Sequence, residues 1–319
     1  MKMWFLVVLM FGILYGVITG IGSWLGVGSA SSYIILAVLF MGFQYLIGPS
    51  LVSAMMKVKW VSEKEEPELH HQIAELAQKA GIPKPKVGIS QLQIPNAFAF
   101  GRSQRDGRVC VTSGLQRLLN KDELKGVLGH EIAHLKHRDM LVITILSVIP
   151  LILYWIAWSF IWGGMGRKRE AGGYAALIGL GAMLAYFLTN LLVLAGSRLR
   201  EYYADERSVK LGNPPHHLAS ALYKLVYSSA QCRRTSWGEE ELHRVEGLRV
   251  FFLNDVGQAQ NELQDLKAID QDFSGTIDQN ELLALRSKKV KLEGAEKIAE
   301  LFTTHPNILK RIKRLSSLV

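Results

Sequence analysis

The chain has 319 residues, 49% of them hydrophobic, with two cysteines and a formal net charge of +9. That length would suit about two soluble domains, but the apolar residues are gathered into long uninterrupted runs, which excludes an ordinary soluble pair. The basic residues are interleaved with 28 acidic ones rather than gathered in a stripe, which argues against a nucleic-acid partner and for attraction to anionic lipid headgroups.

In chain order, no charged residue occurs between Met3 and Met56, an interval long enough for two bilayer crossings of roughly 20 residues each. Lys2 ahead of an apolar run also fits the start of a signal peptide. The apolar core exceeds the usual ~7–15 residues, however, and a second run follows at once, which favours a retained anchor. Two further charge-free runs, Met140–Gly166 and Ala171–Ser197, are separated only by Arg167-Lys168-Arg169-Glu170 and read as a helical hairpin. The expected organisation is therefore two transmembrane helices over residues 1–56, a first polar block over 57–139, a transmembrane hairpin over 140–197 and a second polar block over 198–319. Of 37 Lys and Arg, 14 lie in the first polar block, 19 in the second and one is Lys2. This bias places both blocks on the cytoplasmic side of a cell (plasma or inner) membrane. Arg167, Lys168 and Arg169 in the outer turn run against the rule, so a re-entrant or tilted hairpin remains an alternative. Cys110 and Cys232 then fall in reducing surroundings and read as structural thiols.

Within the first polar block, Glu65–Ala80 carries Leu69, Ile73, Leu76 and Ala77 at helical spacing and is stopped by Gly81 and Pro83. Val87–Ile89, Ala97–Phe100 and Arg108–Thr112 are short β-rich runs between turn residues, expected to form a small sheet with a hairpin. Asn120 followed by Glu123 matches a capping box that opens a helix through Leu124–His137. Inside that helix lies His130-Glu131-Ile132-Ala133-His134. Residues four apart on a helix are separated by about 40° and ~6 Å, so both imidazoles can converge on one ion. Glu131, at the margin of the same face, can take a proton from activated water without ligating.

A catalytic zinc needs a third protein ligand and an open position. His137 lies about 10.5 Å along the axis from His130, too far on a straight helix. Glu201 fits better, because the residue numbers 134 and 201 average 167.5, inside the turn of the proposed hairpin. An antiparallel hairpin therefore brings Glu201 level with His134. Asp205, one turn further on, can accept from the outer nitrogen of a ligating histidine.

Further along, Asp270-Gln271-Asp272-Phe273-Ser274-Gly275-Thr276-Ile277-Asp278-Gln279-Asn280-Glu281 fills the twelve positions of an EF-hand loop. Asp270, Asp272, Ser274, the Thr276 carbonyl, Asp278 and Glu281 would supply oxygens to Ca2+, and Gly275 would permit the turn. Ser274 is a weaker ligand than a carboxylate, and no second loop pairs with this one. The bland alternative is an acidic surface turn that caps the next helix.

The segment Gly129–Asp139, the Glu201-x-x-x-Asp205 pair and the topology together resemble the HtpX-type membrane zinc peptidases, relatives of the Ste24 prenyl-protein proteases. The resemblance implies a mainly α membrane protein with four candidate transmembrane helices and a gluzincin-like zinc peptidase domain containing a small β-sheet. It implies one Zn2+ held by His130, His134 and Glu201. It further implies that Asn96, Ala97, Phe98 and Ala99 form an edge strand that binds an extended polypeptide by its main chain. His305, in His305-Pro306, and Arg311 would reach the site to stabilise an oxyanion; a basic amphipathic helix over Asn307–Leu315 is the structural alternative. The expected activity is endoproteolysis of membrane or misfolded proteins at the cytoplasmic membrane surface. Removal of residues from prenylated proteins and a noncatalytic calcium-responsive scaffold are the alternatives. Four candidate segments, too few to enclose a chamber, argue against the first, and an intact Glu131 argues against the second.

Overall fold

A computed structural model of the chain describes residues 46–164, 169–232, 235, 252–253, 259–266, 269–287 and 299–319. The first expected crossing and most of the second lie outside the described residues. The elements in chain order are α1 (Leu46–Met55), β1 (Val58–Trp60), α2 (Pro67–Ala80), β2 (Lys86–Ser90), β3 (Ala97–Phe100), β4 (Arg108–Thr112), α3 (Ser113–Leu118), α4 (Lys121–His137), α5 (Asp139–Gly164), α6 (Arg169–Lys210), α7 (Pro215–Cys232), α8 (Ala259–Leu266), α9 (Gln279–Ser287) and α10 (Ile308–Ser316). The protein is mostly helical with one small mixed sheet.

The chain divides into two compact units, Met1–Ile47 with Leu141–Gly196, and Gly48–Met140 with Ser197–Val319. In the first unit α5 and α6 pack antiparallel. The rings of Tyr154 and Tyr186 lie 5.6 Å apart, and a side chain at Gly179 would collide with Ile161. Both pairs are centred on residue 170, against the 167.5 expected from sequence, so opposed partners are displaced by five residues from the expected register. Among the described residues one helix, Tyr174–Lys210, is long and apolar enough to cross a membrane.

In the second unit the sheet order is β1-β2-β4-β3, with β2 parallel to β4 and the other pairs antiparallel. The expected β3–β4 hairpin is present, and β3 is an edge strand. The alternation Ala97-Phe98-Ala99-Phe100 sorts the strand's two faces. Ala97 and Ala99 join the core shared with the helices, whereas Phe98 and Phe100 pack with Met56, Leu92, Ile94 and Phe252 on the other side. The small residues let α4 pack directly on β3.

Helix α4 begins where its capping box predicts: Asn120 accepts from the N–H groups of Asp122 and Glu123, and Glu123 accepts from Asn120 N–H. Glu123 is buried, and Ser220 and Lys224 of α7 also donate to it, so the cap fastens α4 to α7. Gly126 opens α4 toward Leu218 of α7, and Gly129 opens it toward the end of α6. Ser208 donates to the Gly126 carbonyl at 2.7 Å, and a Cβ on Gly129 would sit 2.2 Å from the Asn213 amide.

Candidate metal centre

Helices α4 and α6 and the C-terminal segment bring His130, His134, Glu201, Asp205, His305 and Arg311 together in the second unit, at separations of up to 181 residues. The Nε2 atoms of His130 and His134 face each other at 3.0 Å. Each lies 3.4 Å from one oxygen of the Glu201 carboxylate. The outer nitrogens are already engaged: His130 Nδ1 is 2.8 Å from Asp205, and His134 Nδ1 is 2.7 Å from Asp139. Donation of Nδ1–H to those carboxylates leaves a lone pair on both Nε2 atoms of the neutral rings. Two lone pairs pointing at each other and at a carboxylate repel unless a proton or a metal cation lies among them.

The dimensions fit such a cation. Four ligands at tetrahedral angles about a zinc, with bonds of about 2.0–2.1 Å, stand about 3.3 Å apart, against the observed 3.0, 3.4 and 3.4 Å. Charge fits too, because among the described residues the buried carboxyls of Glu131, Asp139, Glu201 and Asp205 are accompanied by two buried guanidiniums, those of Arg200 and Arg311. His130, His134 and Glu201 are therefore able to hold a metal ion.

Arg311 is wholly buried and gives Nε and Nη2 to the two oxygens of Asp205 at 2.9 and 2.7 Å. Its Nη1 donates to the Leu253 carbonyl at 2.8 Å and lies 3.2 Å from Glu201. The guanidinium thus faces the residues around the histidines. Burial works against the charge of Glu201, but His305, His130 and His134 outweigh it and hold the carboxyl well below the usual range. Glu131, on α4, is also buried. Desolvation pushes its pKa up, partly offset by the two histidines.

His305 Nδ1 lies 3.4 Å from Glu201, and neither ring nitrogen has a hydrogen-bond partner although both are buried. Asn96 is buried, and its side-chain oxygen accepts from Leu253 N–H at 3.0 Å. His137 is exposed at the end of α4 and is not part of the cluster. Asp139 and Arg200 join the site without having been singled out from the sequence. The only available hint was an acidic residue shortly after the second histidine.

The EF-hand-like segment lies between α8 and α9. Carboxylate oxygens of Asp270, Asp272 and Glu281 lie within 4.8 Å of one another. Asp270 accepts from Tyr223 and from the N–H groups of Ser274 and Gly275, and Glu281 accepts from those of Gln271 and Asp278. Gly275 adopts φ +77, the left-handed turn for which the position was read.

A family model described as peptidase family M48 matches residues 63–319. A protein described as Protease HtpX homolog from Methanothermobacter thermautotrophicus is 51% identical over 226 residues, which span 71% of this chain and 85% of that protein. A protein of the same description from Thermococcus sibiricus is 33% identical over 321 residues, 98% of this chain and 95% of its own length. Among solved structures, the crystal structure of S. mikatae Ste24p is similar at 14% identity and a TM-score of 0.46, over 96% of this chain and 62% of that one. The HtpX-type resemblance read from the sequence holds.

Proposed function

The chain belongs to peptidase family M48 and is a protease, and from that premise we propose that it is a membrane-bound zinc endopeptidase acting on membrane or misfolded polypeptides. The observation that carries the metal assignment is the facing pair of Nε2 atoms with the Glu201 carboxylate beside them. Zinc, when bound there, supplies Lewis acidity that makes water a nucleophile near neutral pH. Glu131 takes the proton from the attacking water and delivers it to the departing amine. His305, with two unpartnered ring nitrogens at the site, donates to the oxyanion of the tetrahedral intermediate. Arg311 acts through Asp205 and Glu201 and is a positioning residue. The edge strand Ala97–Phe100 pairs with the extended substrate, and Asn96 beside it contacts the substrate main chain.

Membrane attachment is supported by the continuous helix α6, whose apolar stretch runs into Glu201. The distribution of basic residues supports a site on the cytoplasmic side. A separate role in calcium binding is proposed for the loop Asp270–Glu281, supported by its three converging carboxylates.

The test is digestion of casein by purified protein in detergent, with and without a chelator, beside Glu131→Gln. The wild type should lose activity with zinc and recover when zinc is restored. Glu131→Gln should keep its zinc and lose almost all turnover, since an amide cannot accept the proton. Full cleavage by the zinc-loaded variant would overturn the mechanism.

A further inference from the structure

We infer that Asp139, braced by Arg200, is a positioning residue that holds His134 toward the metal and ties the helix carrying Glu201 to the helix carrying the histidines. The inference rests on the zinc reading above and adds to it a second carboxylate partner, matching the one that Asp205 gives His130.

Sequence spacing makes the contact unexpected. Five residues along a continuous α-helix amount to about 140° of rotation and about 7.5 Å of rise, so Asp139 would lie on the far side of the helix from His134. The structure reaches a different result because α4 does not continue. Arg138 adopts the left-handed conformation, φ 55 and ψ 36, and its N–H closes the last turn on the His134 and Leu135 carbonyls. After that single reversed residue α5 starts anew at Asp139. The break turns the Asp139 carboxylate back, so that Oδ2 lies 2.7 Å from His134 Nδ1. With Nδ1–H donated there, the ring cannot rotate freely, and Nε2 stays aimed at His130 and Glu201.

The same residue also reaches α6. Arg200, next to Glu201 in the chain, is buried and donates Nη1 to the main-chain carbonyl of Asp139 at 2.7 Å. A buried guanidinium is costly unless its environment repays it. Here its position fixes the α4–α5 junction against the turn of α6 that presents Glu201. Asp139 thus contacts one ligand through its side chain and the neighbour of another through its backbone. The Asp205 carboxylate is held by both prongs of Arg311, whereas Arg200 meets Asp139 through the carbonyl. The hydrogen bond from Arg200 thus goes to the Asp139 main chain, and that of the carboxylate goes to His134.

The bland alternative is that Asp139 merely starts α5 as a helix N-terminal residue, and serine does that job as well. Full-length protein in detergent is therefore compared as wild type, Asp139→Ala, Asp139→Asn and Asp139→Ser. Zinc retention is read by competition with a chelator, the ligand field by visible absorption of Co2+-substituted protein, and folding by thermal melting. Loss of an outer-shell partner of this kind lowers metal affinity roughly 10–100-fold. Asp139→Ala and Asp139→Ser should both fall in that range with an altered Co2+ spectrum, even where Asp139→Ser melts like the wild type. Asp139→Asn retains an acceptor oxygen and should recover much of the affinity. Arg200→Met should weaken zinc binding in the same direction, and Asp139→Ala in that background should add less than it does alone. If wild-type protein binds zinc but Asp139→Ser binds it equally well with an unchanged Co2+ spectrum, the positioning role is wrong. If wild-type protein binds no zinc at all, it is the metal assignment that fails.

Discussion

Arg311 is the largest fully buried side chain among the described residues, and removing it isolates the charge in this structure most directly. Arg311→Leu deletes both donors to Asp205, at 2.9 and 2.7 Å, the donor to the Leu253 carbonyl at 2.8 Å, and the cation 3.2 Å from Glu201. Breaking a buried ion pair by removing one partner costs about 3–5 kcal/mol. A stranded buried carbonyl costs about 1–3 kcal/mol, and the two effects overlap rather than add. The expected loss is thus at least about 3 kcal/mol, a large share of the roughly 5–15 kcal/mol that folded proteins possess. Urea unfolding of metal-free protein in detergent, followed by tryptophan fluorescence, measures it without contribution from bound metal. Lys310→Ala is the control, because its ion pair with Glu300 leaves the lysine about one-third exposed and is worth at most about 1 kcal/mol. Combining Arg311→Gln with Asp205→Asn removes both charges and should cost less than the sum of the single changes. An Arg311→Leu protein within about 1 kcal/mol of wild type, or strictly additive single and double variants, would refute the reasoning.

Glu201→Ala should lose zinc on dialysis while His137→Ala keeps it, since Glu201 lies 3.4 Å from both Nε2 atoms and His137 is exposed; metal analysis giving the reverse order would show the wrong third ligand. Gly129→Ala should lower the melting temperature and weaken zinc binding together, because its Cβ must displace the Asn213 amide and the Ser208 hydroxyl between α4 and α6; unchanged melting would mean that the helices separate at no cost. Titration of zinc-loaded protein with Ca2+ should give binding heat that Glu281→Ala abolishes, and no heat at millimolar Ca2+ would reduce Asp270–Glu281 to a turn. Cys110 is fully buried and burial pushes its thiol pKa up, so iodoacetamide should leave it unmodified until the protein is unfolded, as peptide mass analysis would report.

The sequence by itself determined what depends on neighbours along the chain. The Asn120–Glu123 cap, the stop at Gly81 and the alternation in Ala97–Phe100 follow from backbone hydrogen bonding and side-chain period, and each is found where those rules put it. The antiparallel pairing of α5 and α6 was also legible from two apolar runs of similar length about a short charged turn, although its register differs by five residues from the one counted in sequence. The strand β1 was not, since three residues are too short a run to signal a strand and owe their conformation to pairing with β2. Only the tertiary structure decided which carboxylate serves which histidine. Asp205 reaches His130 through a helix distant in sequence, and Asp139 reaches His134 through one left-handed residue that helical periodicity cannot anticipate. Arg311, 106 residues from Asp205, is tied to the site in the sequence by the family resemblance alone, and only packing gives it Asp205 as its partner. Local rules specify elements because they act over a turn or a strand pair. The partner of a buried charge is set by which elements meet, and that is fixed by the folded core as a whole.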